Sequence, residues 1–268
     1  MISRKLVMIP VALFCISLTM SGQGNLNLNS QEENTPSDPS PKALHATNLI
    51  KINLTAIALK NYSVQYEKVL TKRISVGASF RTMPSTSIPL KSLILDAVGD
   101  DPDTKDVIEK FRMSNMAFTP EARLYLGKKG WGKGFYIAAF YRYASFETNN
   151  LEFTYEDALM NQGTITLSGK LKSNTGGILF GSQFTLGKHI CLDWWIFGPH
   201  YGAGNGVFTG ISSQPLDADE QDDIRQQLED IDIPLTRKTV TVNANGATME
   251  LHGPWAGIRA GICLGIRF

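Results

Sequence analysis

The carboxy-terminal stretch, residues 255–268, decides the fold; it reads Trp-Ala-Gly-Ile-Arg-Ala-Gly-Ile-Cys-Leu-Gly-Ile-Arg-Phe. In a β-strand, successive side chains point to opposite faces of the sheet. One face of this stretch is therefore wholly apolar and ends on Phe268, whereas the other carries Arg259 and Arg267 among glycines. A soluble strand can alternate in this way, with its apolar face toward a core. In a membrane barrel the apolar face meets lipid and the polar face lines the lumen.

The amino-terminal residues have the order of an export signal. Arg4 and Lys5 precede an apolar run, Leu6–Leu18, which small and polar residues follow. This run is shorter than the roughly 20 apolar residues that a membrane-spanning helix needs. We therefore predict a cleaved signal peptide over residues 1–23 rather than a membrane anchor. Residues 24–47 are rich in Asn, Ser, Gln and Pro, which predicts a flexible periplasmic leader.

The same alternation recurs along the rest of the chain and predicts eight strands. They cover Leu49–Leu59, Tyr62–Leu70, Ile74–Thr82, Asn115–Leu126, Phe135–Tyr155, Thr164–Leu186, Ile190–Tyr201 and the carboxy-terminal stretch. Long connections, residues 83–114 and 202–254, follow the third and seventh strands. Helices are predicted within them at Leu90–Val98, Thr104–Phe111 (with Asp103 as N-cap) and Ala218–Ile231, and a small hairpin at Thr239–Val242 with Thr248–Leu251.

The sorting of the connections favours the membrane alternative. Outer-membrane barrels have short periplasmic turns and longer extracellular loops. The predicted fold is therefore all-β: an eight-stranded antiparallel transmembrane β-barrel over residues 48–268, with short helices in its extracellular loops. Such a barrel would lie in the outer membrane of a Gram-negative cell, with the terminal Phe268 as the insertion signal read by the barrel-assembly machinery. Aromatic residues near strand ends would form the interfacial girdles: Tyr62, Trp131, Phe135, Trp194 and Trp255.

The charged residues of the strands fall on the polar face, which is the inner face of the predicted barrel. They are Lys51, Glu67, Arg81, Glu121, Arg123, Arg142, Asp193, Arg259 and Arg267. Eight strands enclose little more than the room their own side chains fill. Unpaired charges in so narrow a space are costly, so we predict that these residues pair and plug the lumen.

Several stretches resemble a family of unknown function. They are Lys51-Ile-Asn-Leu-Thr, Val64-Gln-Tyr-Glu-Lys, Thr119-Pro-Glu-Ala-Arg-Leu-Tyr, Gly134-Phe-Tyr-Ile-Ala and Gly253-Pro-Trp-Ala-Gly-Ile-Arg. The family comprises small outer-membrane barrels of the Bacteroides group, and the resemblance covers about residues 48–268. It implies a barrel fold and a cell-envelope location, with no established activity to carry over. By architecture alone the chain is more distantly similar to barrels of the OmpA and OmpX type.

The sequence does not indicate a catalytic site or a metal-binding site. No histidine has a serine two residues later, which is the spacing of outer-membrane lipid deacylases, so His200 is predicted to be structural. The acidic stretch Asp217–Asp232 lacks the spacing and glycine of a calcium loop and is predicted to be solvated. We expect no metal and no cofactor. Cys191 and Cys263 are expected to be two buried thiols on neighbouring strands, with a disulfide as the alternative.

The expected function is that of a small non-enzymatic outer-membrane barrel. It would contact outer-membrane lipid and present its loops, residues 83–114 and 202–254, for envelope structure or to an envelope protein partner. The net charge of +1 gives no reason to expect nucleic acid. Two alternatives remain open at this point: a lipid-modifying enzyme, by analogy of fold, and a small porin.

Overall fold

The computed structural model describes residues 47–98, 105, 108–156 and 162–268. It is all-β, with one large antiparallel sheet of nine strands. The strands are β1 (Asn48–Asn53), β2 (Tyr62–Val69), β3 (Ile74–Ser87), β4 (Arg112–Tyr125), β5 (Gly134–Glu156), β6 (Gln162–Leu186), β7 (Ile190–Ser212), β8 (Arg237–Asn243) and β9 (Gly246–Arg267). The helices are α1 (Leu54–Ala58), α2 (Lys91–Val98) and α3 (Ala218–Glu229). The predicted signal peptide, and the predicted leader up to residue 46, lie outside the described residues.

Eight of these strands close into a ring in the order β1-β2-β3-β4-β5-β6-β7-β9, because β1 pairs with both β2 and β9. The closing register runs from Leu49 opposite Arg267 to Asn53 opposite Cys263. At this seam the backbone N–H of Phe268 donates to the Asn48 carbonyl over 2.9 Å. The end of the ring at Asn48 and Phe268 is called the terminal end, and the opposite one, which carries the helices, the helix end.

The ninth strand corrects the prediction of eight. β8 lies outside the ring and pairs with β9 alone, from Arg237 opposite His252 to Asn243 opposite Gly246. The hairpin that it forms with β9 was predicted from sequence and is confirmed. β8 can occupy this edge of β9 because β1 is short: its pairing with β9 stops at Asn53.

The first predicted strand was too long for a local reason. Asn53 is an N-cap, because its side-chain oxygen accepts a hydrogen bond from the backbone N–H of Ala56 over 2.8 Å. The chain therefore turns into α1 at Leu54 instead of continuing as a strand. Apolar residues alternate in this stretch as they do in a strand. Only the cap indicates that the chain forms a helix here instead of a longer strand.

The two predicted long connections were also wrong in their bounds. β7 continues to Ser212, and residues 246–254 already belong to β9, so much of the predicted connection 202–254 is strand. Likewise β3 runs to Ser87 and β4 begins at Arg112. The strands of the helix end therefore rise well beyond the level of α1.

The bounds of the predicted helices agree more closely with the structure. α3 starts at a capping box in which Asp217 accepts from the backbone N–H of Glu220 over 2.8 Å and Glu220 accepts from that of Asp217 over 2.9 Å. α2 occupies nearly the whole range predicted for it. Of the predicted helix Thr104–Phe111, residue 105 and residues 108–110 are helical, and its predicted cap, Asp103, lies outside the described residues. Within the described ranges, no helix is both long and apolar enough to cross a membrane.

A hydrophobic core fills the ring at its helix end. Its buried residues are Ile88, Ile108, Phe111, Leu171, Phe208, Met249 and Leu251. Those from β6, β7 and β9 meet residues of the β3–β4 connection, and Ile94 and Leu95 of α2 pack against them. The described part of this connection therefore packs over the inner faces of the long strands.

Candidate functional site

The interior of the ring holds a dense set of charged side chains. Lys51 of β1 donates from Nζ to Glu67 Oε2 at 2.5 Å and to Asp193 Oδ2 at 2.6 Å. It also donates to Gln183 Oε1 at 2.6 Å. These acceptors come from β2, β6 and β7, which lie on both sides of β1 around the ring, so the contacts can only be made through its interior.

Arg123 of β4 joins the same cluster from the opposite wall. Its Nε donates to Glu121 Oε1 at 2.5 Å, and its Nη1 donates to Asp193 Oδ2 at 2.7 Å and to Glu67 Oε2 at 3.2 Å. The side chains of all four residues are fully buried. A guanidinium group suits this place because its planar fork of donors can serve several carboxylates at once.

Arg259 of β9 completes the cluster. Its Nη1 donates to Glu121 Oε2 at 2.5 Å. Its guanidinium carbon lies 3.9 Å from the ring centroid of Trp195 and 5.2 Å from that of Phe140, so both rings offer it π electrons. The cluster balances three cations against three carboxylates, and we call it the paired level: Lys51, Arg123, Arg259, Glu67, Glu121 and Asp193.

Neutral side chains donate further hydrogen bonds to the carboxylate oxygens of the paired level. The hydroxyl of Tyr125 donates to Glu67 Oε1 and that of Tyr136 to Asp193 Oδ1, each over 2.7 Å. Gln65 donates to Glu121 Oε1 over 2.9 Å. None of these three was singled out from sequence, although period-two alternation places Gln65 on the same face as Glu67 and Tyr125 on the same face as Arg123. The available signal was this alternation, but only the charged residues of the polar face were predicted to form a network.

A turn between β4 and β5 closes the terminal end of the ring. Gly132, at φ +72°, directs its carbonyl to the Nε2 of Gln183, which donates over 2.8 Å. The Trp131 carbonyl accepts from Arg267, and the Trp131 ring packs against the buried Leu49 and its cluster. Trp131 was predicted to be part of an aromatic girdle; instead it helps to seal the interior.

Three of the predicted interior charges lie outside the paired level: Arg267, which donates to the Trp131 carbonyl, and Arg81 and Arg142. Among the described residues, no carboxylate pairs with Arg81 of β3 or Arg142 of β5, which corrects the expectation that all the inner charges pair. The Nε of Arg81 is buried and has no hydrogen-bond partner in the part of the chain that the structure describes. Arg142 donates from Nη1 to Thr119 Oγ1 over 3.4 Å.

His200 of β7 also faces the interior. Its ring meets that of Phe140 edge-on, with centroids 6.0 Å apart, and its Nδ1 is buried with no hydrogen-bond partner among the described residues. The charged groups that act on it are Arg142, Arg259 and Arg81, all of them cations. We call Arg81, Arg142, Thr119 and His200 the arginine level.

Cys191 and Cys263 lie on neighbouring strands and are not bonded. Cys191 stands opposite Gly265 and Cys263 opposite Asp193, so they are offset along the β7–β9 pair. Both are free and buried, as expected from sequence. Among the described side chains, no group of three His, Cys, Asp or Glu residues is arranged to hold a metal ion.

The exterior of the ring is apolar over the same stretch of strand in which the interior is charged. Large apolar side chains point outward from all eight strands of the ring and are exposed. They include Ile52, Val64, Phe80, Phe118, Phe135, Ile178, Phe184, Trp194, Ile262 and Leu264. Of the other aromatic residues predicted at an interface, Tyr62 is exposed, whereas Trp255 points inward and stacks on Phe146 at a centroid distance of 5.7 Å. We call this outer surface the apolar belt.

The strands that build this interior and this belt match a known sequence family. Residues 39–203 match the model described as "Protein of unknown function (DUF3575)". The chain belongs to this family. Within the described residues, the match takes in β1 to β6 and the part of β7 that carries Cys191, Asp193 and His200.

The family match is shorter than the resemblance expected from sequence. It ends at residue 203, so the upper part of β7, α3, β8 and β9 lie beyond it. The stretch Gly253-Pro-Trp-Ala-Gly-Ile-Arg, which contributed to that expectation, is among them. No curated protein matches the chain.

Proposed function

We propose that this chain is a non-enzymatic outer-membrane β-barrel that holds a folded structure at the cell surface. The ring would span the membrane as a barrel of the OmpA and OmpX type, in a Gram-negative cell of the Bacteroides group. Its function would be to anchor the helix end outside the membrane, for envelope structure or for contact with an envelope protein partner.

The observation that carries the proposal is the inverted polarity of the ring. A soluble protein places its charges outside and its apolar residues inside, whereas here Ile262 and its neighbours in the apolar belt are exposed and Arg123 is fully buried. Soluble monomers rarely expose apolar patches beyond a few hundred Å². Lipid chains would cover the belt and remove this conflict.

The height of the belt supports the same conclusion. On β6 the outward residues from Leu186 to Ile178 are apolar except for Ser182, Gly176 follows, and the next outward residues, Asn174 and Lys172, are polar and exposed. This length agrees with the roughly 9–11 residues with which a tilted strand crosses a bilayer. Beyond it, β6 continues as far as Gln162, into what would be the extracellular space.

The filled interior favours an anchor over a pore. Lys51, Glu67 and Asp193 have no exposed side-chain surface, and the Trp131 turn covers the terminal end. An ion crossing the ring would have to displace this network. We expect planar-bilayer recordings of the purified protein to show no conductance steps; regular steps would support the porin alternative instead.

The helix end offers two surfaces for a partner. One is α3 with β8, which are held together by buried Leu216, Ile224 and Val242. The other is the β3–β4 connection with α2. These surfaces lie within residues 83–114 and 202–254, the two stretches that we propose for contact with a partner. A pull-down from native membranes with the intact chain, compared with a chain whose α3–β8 unit is deleted, would identify proteins that need this unit.

Protease accessibility on intact cells tests the orientation. A protease site inserted after Asp230, at the end of α3, should be cut on intact cells. The same site in the turn at Gly187–Lys188, at the terminal end, should be cut only after the outer membrane is breached. Cutting at the Gly187–Lys188 site alone would reverse the orientation. Cutting at both sites in osmotically released periplasm, without detergent, would show that the chain is not a membrane protein.

A further inference from the structure

The interior of the ring is divided between a neutral half and a cationic half. In the paired level every cation has a carboxylate within 2.6 Å. In the arginine level the groups acting on Arg142 are Arg81 and Arg259, and Arg259 is already paired with Glu121. The two guanidinium groups of Arg81 and Arg142 therefore leave two positive charges in the interior without a counter-charge among the described residues.

Arginine cannot remove this charge by losing a proton. A buried lysine or histidine can become neutral, but the guanidinium group stays protonated in proteins. An uncompensated charge in a water-poor interior is costly, and two neighbouring like charges add repulsion. A negatively charged group from outside the chain is the simplest compensation.

The arginine level is less completely enclosed than the paired level. Arg81, Arg142 and His200 keep part of their surface accessible, whereas Lys51 and Arg123 have almost none. On the wall near His200 the inward position of β9 is Gly257, and the imidazole lies over its backbone, in the space that a side chain there would take.

Unused hydrogen-bond capacity points in the same direction. The Nε of Arg81 and the Nδ1 of His200 are buried without partners among the described residues. Arg142 has one long contact, 3.4 Å, to the Thr119 hydroxyl. Guanidinium groups bind tetrahedral oxyanions through paired N–H donors, and hydroxyl and imidazole N–H groups add further donors.

We propose that the arginine level is a binding site for one small oxyanion of the size and charge of inorganic phosphate. Arg81 and Arg142 supply the charge and the paired donors. Thr119 and His200 complete the shell. This site goes beyond the proposed function and does not depend on it, because it requires the closed ring and not a particular membrane or orientation.

The experiment is a titration of the full-length mature protein, folded in detergent, with inorganic phosphate at constant ionic strength set by sodium chloride. We expect saturable binding by isothermal titration calorimetry with a stoichiometry of about one, and a rise in the temperature at which the folded gel band converts to the unfolded one. Arg81→Gln and Arg142→Gln should each weaken binding by roughly tenfold or more, which is the range expected for loss of a charge-assisted hydrogen bond. Lys170→Gln, which removes an exposed cation at the helix end, should bind as the wild type does.

Three results would overturn the site. The first is the absence of phosphate binding to the folded wild-type protein. The second is an equal effect of phosphate and chloride at matched ionic strength, which would indicate screening alone. The third is unchanged binding in the Arg81→Gln, Arg142→Gln double variant. If either glutamine variant fails to fold, Arg142→Lys keeps the charge but loses the planar fork, and should show weakened binding with a normal folded gel band.

Discussion

Lys51 and Asp193 are 142 positions apart in the chain, yet Lys51 Nζ lies 2.6 Å from Asp193 Oδ2 in the centre of the ring. Lys51 stands on the first strand and Asp193 on the seventh, with β9 between them on the wall. Asp193 also accepts from Arg123 and Tyr136, which stand on β4 and β5. One carboxylate thus ties together strands from around the ring.

Removal of this carboxylate charge should destabilise the ring strongly. Asp193→Asn keeps the shape of the side chain but removes one negative charge from beside the buried cations Lys51 and Arg123. Breaking a buried pair in this way costs about 3–5 kcal/mol. We expect a large fall in the urea midpoint of unfolding. Unfolding is monitored on a gel, where the folded chain in an unheated sample runs as a separate band from the heat-unfolded chain (the heat-modifiable gel band). Glu147→Gln, which breaks the exposed pair with Lys170, is the control and should change the midpoint far less. Equal effects would show that the paired level is not sequestered from water.

The apolar belt should reject charge. Ile262 points outward from β9 within the belt and is 40% exposed. On a lipid-facing surface, Ile262→Lys should destabilise the folded state by about 2–4 kcal/mol at mid-depth. Val207→Lys, at an outward and similarly exposed position on the upper part of β7, should be tolerated. The measurement is the fraction of folded protein after refolding into lipid vesicles. A silent Ile262→Lys in a chain that remains soluble without detergent would contradict the membrane proposal.

Gly181 should tolerate no side chain. A Cβ at this position would overlap the Tyr136 hydroxyl and lie 2.8 Å from the Trp194 carbonyl oxygen. Gly181→Ala should therefore displace Tyr136 from Asp193 and destabilise the ring by about 1–3 kcal/mol, as other overpacking changes do. Gly176→Ala is the matched control on the same strand, because the nearest atom to its Cβ would be 4.0 Å away. The urea midpoints of the two variants should separate, and coincident midpoints would show that Tyr136 moves without cost.

The α3–β8 unit should be able to loosen without opening the ring. Ile224 is the buried residue of α3 and packs with Leu216 and Val242. Replacing a buried isoleucine with alanine costs about 2–5 kcal/mol, so in Ile224→Ala we expect faster hydrogen exchange over residues 218–229. The temperature at which the folded gel band converts to the unfolded one should stay at the wild-type value. Gln226→Ala, on the exposed side of the same helix, should leave exchange unchanged. If Ile224→Ala lowered the temperature at which the folded gel band converts, α3 would be shown to stabilise the ring itself.

Period-two alternation was enough to place most of the strands and to assign their faces. Lys51, Glu67, Arg123 and Asp193 were all expected on the inner face, and their mutual contacts place them there. The helix over Ala218–Glu229 was also predictable, because its capping box is a local signal. The end of β1 was predicted wrongly. The alternation of apolar residues continues past Asn53, whereas Asn53 caps a helix and so ends the strand.

The sequence by itself determined which residues can share a face, because that depends only on the geometry of an extended chain. It did not determine which of the inner charges meet. The expectation that they all pair treated the interior as uniform, whereas the register of eight strands brings Lys51, Arg123 and Arg259 to three carboxylates and leaves Arg81 and Arg142 among cations. Register and ring closure are set by contacts between distant parts of the chain. Only the tertiary structure could therefore separate a neutral interior level from a positively charged one.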